Sequence, residues 1–301
     1  MLDYLSNKNQ SQMMNVPGDQ RLPKWMKAQK IDGQGFFDVR NTIQENNLET
    51  ICSSGNCPNK NECWSAGTAT FMILGETCTR NCRFCDVKTA IPDQVDWDEP
   101  VRVADSIRQL RLKHCVITSV ARDDLKDGGI EFWATTVRTI KAVNLGITVE
   151  TLIPDFKRPL EWLNPLFQSK PEVISHNIET VERISPRIRS VANYESTLNF
   201  LSYVSKNKVI TKSGFMVGLG ETPQEVEKTM DDLLTAGVSV ITIGQYLPPS
   251  ARHTKLVEYI HPDQFTLYEE TGLKKGFQFV ESGPMVRSSY HAEKHVKAKV
   301  L

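Results

Sequence analysis

The stretch Ala69-Thr-Phe-Met-Ile-Leu-Gly-Glu-Thr-Cys78-Thr-Arg-Asn-Cys82-Arg-Phe-Cys85 joins a short apolar run, residues 69–74, to a loop carrying three cysteines. The run is β-compatible, so it would deliver the cysteines at the C-terminal end of a strand. Downstream, apolar runs alternate with amphipathic segments. Strands are predicted at 115–120, 147–153, 173–176, 210–218 and 238–243, and helices near 99–112, 131–143, 195–205 and 223–236. Repeated βα organisation predicts parallel strands with helices outside. Six or seven such units point to an open or partial barrel, a partial (β/α)6-type TIM barrel with N-terminal and C-terminal extensions. Sequence alone barely separates this from a doubly wound sheet. In either architecture chemistry gathers at the C-terminal ends of the strands, and the polar clusters at 78–85, 119–124, Glu150 and 176–179 accompany apolar runs in that way.

Cys78, Cys82 and Cys85 form a C-x3-C-x2-C motif. Iron-sulfur clusters are held by thiolates, usually four. Three close cysteines leave one iron of a cubane without a protein ligand, as a catalytic zinc site keeps one position open. An open iron can bind a substrate. A zinc knuckle would want a fourth Cys or His nearby, and none lies within twenty residues downstream of Cys85.

Six of the seven cysteines fall between Cys52 and Cys85. In a reducing compartment such clustering marks metal ligands or redox groups more often than disulfides. Cys52, Cys57 and Cys63 form a second compact set, C-x4-C-x5-C, and two triplets imply two clusters because six ligands exceed what one cubane can use. The seventh, Cys115, lies in an apolar run and reads as a small core residue.

The first motif resembles the signature of the radical SAM superfamily, in which the free iron chelates S-adenosylmethionine (SAM) and homolysis yields a 5′-deoxyadenosyl radical. Phe84 matches the aromatic that this superfamily places near the adenine. The second set, with Cys57-Pro58-Asn59 and the following Trp64, closely resembles the auxiliary-cluster motif of lipoyl synthases. Ser53-Ser54-Gly55 departs from that family's usual acidic pair and alanine, at positions that are not ligands. The family's fourth auxiliary ligand is a serine in a C-terminal Arg-Ser-Ser-Tyr motif, present as Arg287-Ser288-Ser289-Tyr290. By resemblance Ser289 is that ligand and Ser288 its local competitor. An oxygen donor is harder than a thiolate and more weakly matched to this iron. It should leave easily, which suits a cluster dismantled as a sulfur source.

Further matching stretches are 67–75, 122–129, 176–180, 212–221 and 244–248, so the resemblance runs from about Arg21 to Ala292. It implies an enzyme that inserts two sulfur atoms at C6 and C8 of a protein-bound octanoyl group, using two 4Fe-4S clusters and SAM. Those C–H bonds have no acidifying neighbour, so no side-chain base could open them, and hydrogen-atom abstraction is the feasible route. Glu150, Asn177 and Glu179 are placed to meet the ribose and methionine ends of SAM, or else serve as structurally paired residues. Arg122 or Arg287 could steer a carboxylate or a carrier. The implied partners are an octanoylated lipoyl carrier domain or glycine-cleavage H protein, a flavodoxin or ferredoxin-type reductant, and an iron-sulfur carrier protein.

The resulting division is an N-terminal arm (1–50), an auxiliary-cluster loop (51–66), the barrel (67–283) and a C-terminal segment with the auxiliary serine (284–301). Lysine plus arginine and aspartate plus glutamate are equal at 36 each, so no global field favours nucleic acid or an anionic membrane. No stretch reaches the roughly 18 uninterrupted apolar residues of a membrane helix. Residues 1–20 lack an apolar signal core and an Arg-rich, acid-poor character, which predicts a cytoplasmic protein.

Overall fold

The computed structural model describes residues 22–27, 30–31 and 33–297. The first part of the expected arm, 1–21, and the end of the expected C-terminal segment, 298–301, lie outside the described residues. Helix α1 (Gly33–Glu45) is followed by a two-residue strand β1 (Glu49–Thr50) and by short helices α2 (Ile51–Ser54) and α3 (Lys60–Ser65) that carry the first cysteine group. Strand β2 (Thr70–Ile73) comes next, and the second cysteine loop is closed at its base by β3 (Thr77–Cys78) and β4 (Lys88–Thr89). The chain continues through α4 (Glu99–Gln109), β5 (His114–Ser119), α5 (Ile130–Val143), β6 (Thr148–Leu152), α6 (Asn164–Gln168) and β7 (Val173–Ser175). It ends with α7 (Ser185–Ile188), α8 (Tyr194–Lys206), β8 (Ile210–Val217), α9 (Pro223–Thr235), β9 (Val240–Gln245), α10 (Pro262–Lys275), β10 (Phe279–Gly283) and α11 (Ala292–His295).

The sheet order is β1-β2-β5-β6-β7-β8-β9-β10, with β1 antiparallel to β2 and every later pair parallel. A doubly wound sheet reverses its strand order partway across. This sheet does not, so the architecture is the barrel alternative. Among the described residues β10 pairs only with β9, and the barrel therefore stays partial. Strand β10 was not expected from sequence: Glu281, Ser282 and Gly283 dilute its apolar signal, and its pairing with β9 supplies what the pattern lacks.

Local chemistry explains where the elements start. Thr222 accepts from Glu225 N (3.3 Å) while the Glu225 carboxylate accepts from Thr222 N (2.8 Å), a capping box that starts α9 with Pro223 in its first turn. Asn193 and Ser196 do the same for α8. Gly129, at φ +94° just before α5, adopts a backbone conformation that a Cβ would disfavour, and that Cβ would stand 2.8 Å from Leu74 Cδ1. The N-terminal arm packs on the auxiliary loop through Phe36, whose ring centroid is 5.4 Å from that of Trp64, and Val39 and Ile43 join the same core.

Glu99 opens α4, and its buried carboxylate accepts from Leu74 N (2.8 Å) at the end of β2. Burial outweighs that bond and raises the carboxyl from the ordinary 4.5 to about 7. Between those values the folded chain holds a proton that the unfolded chain has lost, so stability falls as pH rises through the window. Glu99→Gln keeps the acceptor and removes the charge. It is expected to stabilise the fold by up to about 3 kcal/mol above pH ~7 and to flatten the fall between pH ~5 and ~7 in urea unfolding. A variant with the parent's pH profile would refute a buried charge at this position.

Candidate active site between two cysteine loops

The loop from Cys78 to Cys85 leaves β2 and is tied to its neighbours mainly through side chains. Arg80 pairs with Asp123 in the loop after β5 (Nη2 to Oδ1, 2.7 Å; Nε to Oδ2, 2.8 Å) and with Asp155 in the loop after β6 (2.5 Å). Thr79 donates to Ala121 O (2.9 Å). The Cys78 sulfur accepts from Arg80 N (3.4 Å) and Ala121 N (3.3 Å), two amides aimed at a position where negative charge on sulfur is stabilised. Burial pushes the Cys85 thiol up to about 12, and the charges of Cys82 and Cys78 act in the same direction because the three sulfurs are neighbours.

The first cysteine group is built from two short helices. Thr50 caps α2 by accepting from Ser53 N (3.3 Å), placing Cys52 on a buried face, and Cys57 N donates back to Cys52 O (3.1 Å). Cys63 lies on α3. Burial, followed by the charges of the companion cysteines, raises Cys52 to about 11 and Cys63 to about 12. The C-terminal segment lies along this group through three side-chain bonds. Asn59 Nδ2 donates to Met285 O (2.6 Å), Tyr290 Oη donates to Glu62 Oε1 (2.8 Å), and Thr70 Oγ1 donates to Ser289 Oγ (2.8 Å). Gly244 on β9 lets that segment lie close: a Cβ there would stand 2.1 Å from Val286 O.

The two loops meet. Asn56, between Cys52 and Cys57, donates to the Asp86 carboxylate next to Cys85. His253 Nε2 stands 3.1 Å from Cys85 O and 3.8 Å from Asp86 Oδ1, and Ser250 Oγ lies 2.9 Å from its Nδ1. A carbonyl only accepts, so Nε2 carries the proton and, in the neutral ring, Nδ1 accepts from Ser250. Below this bridge is a cavity of about 260 Å³. Phe84 and Cys85 of one loop line it together with Cys52, Cys57, Ser288 and Ser289, and Leu22, Met26, Ile51, Met216, Leu247 and Met285 make much of the remainder apolar.

Of the residues singled out from sequence, the structure brings Phe84, Asn177 and Glu179 toward the three-cysteine loop. Glu179 follows β7 in a left-handed conformation (φ +70°) that is uncommon for a non-glycine residue, with its backbone bonded to Gly214 and Met216 of β8. Its carboxyl is pushed up by burial against the attraction of Arg189 and a hydrogen bond from Asn177, and its charge reaches Cys85. Glu150 is not brought there. Its carboxylate pairs with Lys212 Nζ (2.7 Å), both side chains at 0% exposure. Lys212 also stands close enough to depress His114 and His295, after burial has done most of that work. Of the two readings the sequence left open for Glu150, a SAM contact or a structurally paired residue, the structure shows the pairing: a buried ion pair with Lys212 occupies it. Arg122 is likewise engaged, with Asp124 and the carbonyls of Leu74 and Asp93. Arg287 does line the cavity, near Cys57. Cys115 is a buried core residue.

Sequence reading missed Asp86, His253 and Arg189. Asp86 follows Cys85 directly and could have been flagged as a charged neighbour of a ligand. Nothing local distinguishes His253, whose partner Cys85 lies 168 positions away, or Arg189, whose burial beside Glu179 no local pattern shows. The site suits polynuclear clusters by its donor chemistry: two groups of three neighbouring free thiols, Cys52 buried and the others half-buried, with the Ser289 hydroxyl lining the same cavity as the first group. Among the described residues no three His, Cys, Asp or Glu converge as ligands of one ion do. Thiolates on separate irons stand farther apart than donors sharing one metal.

Comparison with known proteins agrees with this arrangement. The Radical SAM superfamily pattern matches residues 72–233. A lipoyl synthase of Bacteroides fragilis is 52% identical over 277 residues, covering 92% of this chain and 96% of that protein. The lipoyl synthase of Treponema denticola is 50% identical over 92% of this chain and 96% of its own length, and the mitochondrial lipoyl synthase of Nematostella vectensis is 50% identical over 93% and 97%. Among solved structures, methylornithine synthase superposes with a TM-score of 0.53 at 12% identity over 86% of this chain and 84% of its own. Streptococcus suis SuiB bound to S-adenosylmethionine gives 0.56 at 10% identity over 74% and 54%, a likeness of fold alone. With half of its residues shared across almost the whole length, and both cysteine groups facing one cavity, this chain belongs to the lipoyl synthases of the radical SAM superfamily.

Proposed function

We propose that the cavity between the two cysteine loops is where this chain inserts two sulfur atoms into an octanoyl group, at C6 and C8, on a lipoyl carrier domain or glycine-cleavage H protein. The single observation that carries the reading is that one cavity is lined both by Cys85 and by Cys52, Cys57 and Ser289. An alkyl chain in that space would be within reach of both a radical source and a sulfur source.

Cys78, Cys82 and Cys85 would hold one 4Fe-4S cluster, and Cys52, Cys57, Cys63 and Ser289 the other. With SAM bound, these groups supply a carbon radical able to remove hydrogen from an unactivated C–H bond, together with sulfur to replace it. The protein's own part is to bind, orient and exclude water. Leu22, Met26, Ile51, Met216, Leu247 and Met285 give the acyl chain an apolar lining, and burying such a chain contributes on the order of 5 kcal/mol. Phe84, Asn177 and Glu179 would orient SAM. Arg189, bonded to Thr197 Oγ1 (2.7 Å), holds Glu179 electrostatically in place. Thr70 donates its hydroxyl hydrogen to Ser289, which lines the cavity with Cys52 and Cys57. A flavodoxin or ferredoxin-type donor would supply electrons, and an iron-sulfur carrier protein would rebuild the sacrificed cluster. No helix among the described residues is long and apolar enough to cross a membrane.

The direct test is mass spectrometry of an octanoyl-lysine carrier peptide after anaerobic incubation with reconstituted protein, SAM and reductant. Gain of two sulfurs with release of deoxyadenosine is expected; deoxyadenosine without sulfur would move the substrate elsewhere. Ser289→Ala should leave SAM cleavage largely intact while cutting sulfur insertion, and equal loss of both would remove Ser289 from the auxiliary set. Cys82→Ala should abolish deoxyadenosine production, and persistence of that product would refute its role as ligand.

A further inference from the structure

The chain as a whole carries equal numbers of acidic and basic residues. That balance fails at the outer side of the three-cysteine loop. Arg83 N donates to Ile188 O (2.8 Å) and Thr254 N donates to Arg83 O (2.9 Å), so the segments 80–88, 184–192 and 250–256 are laced together at Arg83. These segments contain seven Lys and Arg residues and one acid, Asp86. Arg80 is committed to Asp123 and Asp155, and Lys88 to Glu76. Arg189 is largely buried beside Glu179. The other four, Arg83, Arg187, Arg252 and Lys255, are exposed, and among the described residues none forms an ion pair within the chain. Four uncompensated cations on three joined loops make a local positive field that a neutral protein does not otherwise need.

Position gives that field a meaning. Cys85 faces the apolar cavity, but Cys82 does not line it; the Cys82 sulfur lies 3.5 Å from Ser190 Oγ in an exposed contact. The loop therefore has an inner, substrate side at Cys85 and an outer, solvent side at Cys82. Reductive cleavage of SAM consumes one electron, and electron transfer between proteins weakens steeply with distance. The outer side offers a short route that leaves the substrate cavity undisturbed.

We propose that Arg83, Arg187, Arg252 and Lys255 form the docking surface for an acidic one-electron carrier protein, which delivers its electron past Cys82 while the octanoylated carrier engages the cavity mouth separately. The proposal rests on the sulfur-insertion reading for the electron's destination. In each encounter the donor is oxidised by one electron, a flavin hydroquinone becoming a semiquinone, and that electron goes into the C–S bond cleavage that yields methionine and the deoxyadenosyl group. Complementary surface charge acts chiefly on association and its salt dependence.

The test compares the reconstituted parent enzyme with an Arg187→Glu/Arg252→Glu double variant, both positions being exposed and outside the site. An acidic flavodoxin serves as one reductant and photoreduced deazaflavin as the other. The variant should need about tenfold more flavodoxin for half-maximal SAM cleavage at low salt, with a flatter salt dependence. Its deazaflavin-driven rate and its KM for the octanoylated carrier should match the parent. The flavodoxin dissociation constant, followed by flavin fluorescence, should rise by the same factor. An unchanged flavodoxin requirement and affinity would overturn the assignment, and so would a rise confined to the KM for the octanoylated carrier. If the parent cleaved no SAM even with deazaflavin, the functional reading would fail, and the binding measurement would still decide the docking surface.

Discussion

The Arg80 guanidinium, held between Asp123 and Asp155, is the interaction on which the geometry of the site depends. The loop it anchors has little regular structure, only the two-residue strands at its base. Backbone bonds tie it only at separate points, such as Thr79 to Ala121 and Arg83 to Ile188 and Thr254. One arginine reaches two successive strand-end loops at once, with its side chain only 8% exposed. Taking such a charge from water is costly, and the pairing offsets that cost only when both carboxylates are in place. The clamp is therefore nearly all or none. It transfers the rigidity of β5 and β6 to the cysteines, and the Asn56–Asp86–His253 bridge passes the restraint on to the first cysteine group.

The C-terminal segment is the second restraint. It crosses from β10 past Gly244, lays Ser289 against Thr70 and Tyr290 against Glu62, and then buries His295 toward the far ends of the strands. There it approaches the buried Glu150–Lys212 pair and His114. A segment tied at both places brings a hydroxyl to the auxiliary cysteines without a covalent link. Single neutral hydrogen bonds are individually modest, about 1 kcal/mol each, so Ser289 is held firmly enough to be positioned and weakly enough to move.

Much of this was legible in the chain itself. Strands β2 and β5 to β9 and helices α4, α5, α8 and α9 stand close to where apolar periodicity placed them, because each buries an apolar stripe of its own. The two cysteine triplets were readable because their ligands are close in sequence. Strand β10 escaped because its residues become strand only beside β9. Glu150 was left with two readings because a glutamate in an apolar strand looks the same from sequence whether it faces a cofactor or a buried lysine 62 positions away.

The sequence by itself determined the donor chemistry and the repeating βα unit: thiols at fixed short spacing, and apolar stripes of fixed period, are local properties. Only the tertiary structure decided the order of the strands, the single cavity shared by both cysteine groups, the arrival of Ser289 beside the first of them, and the removal of Glu150 into an ion pair. These depend on contacts between residues far apart in the chain, such as Thr70 with Ser289 and Arg80 with Asp155. Such contacts form only once burial of the apolar faces has brought distant segments together, and no local pattern encodes them.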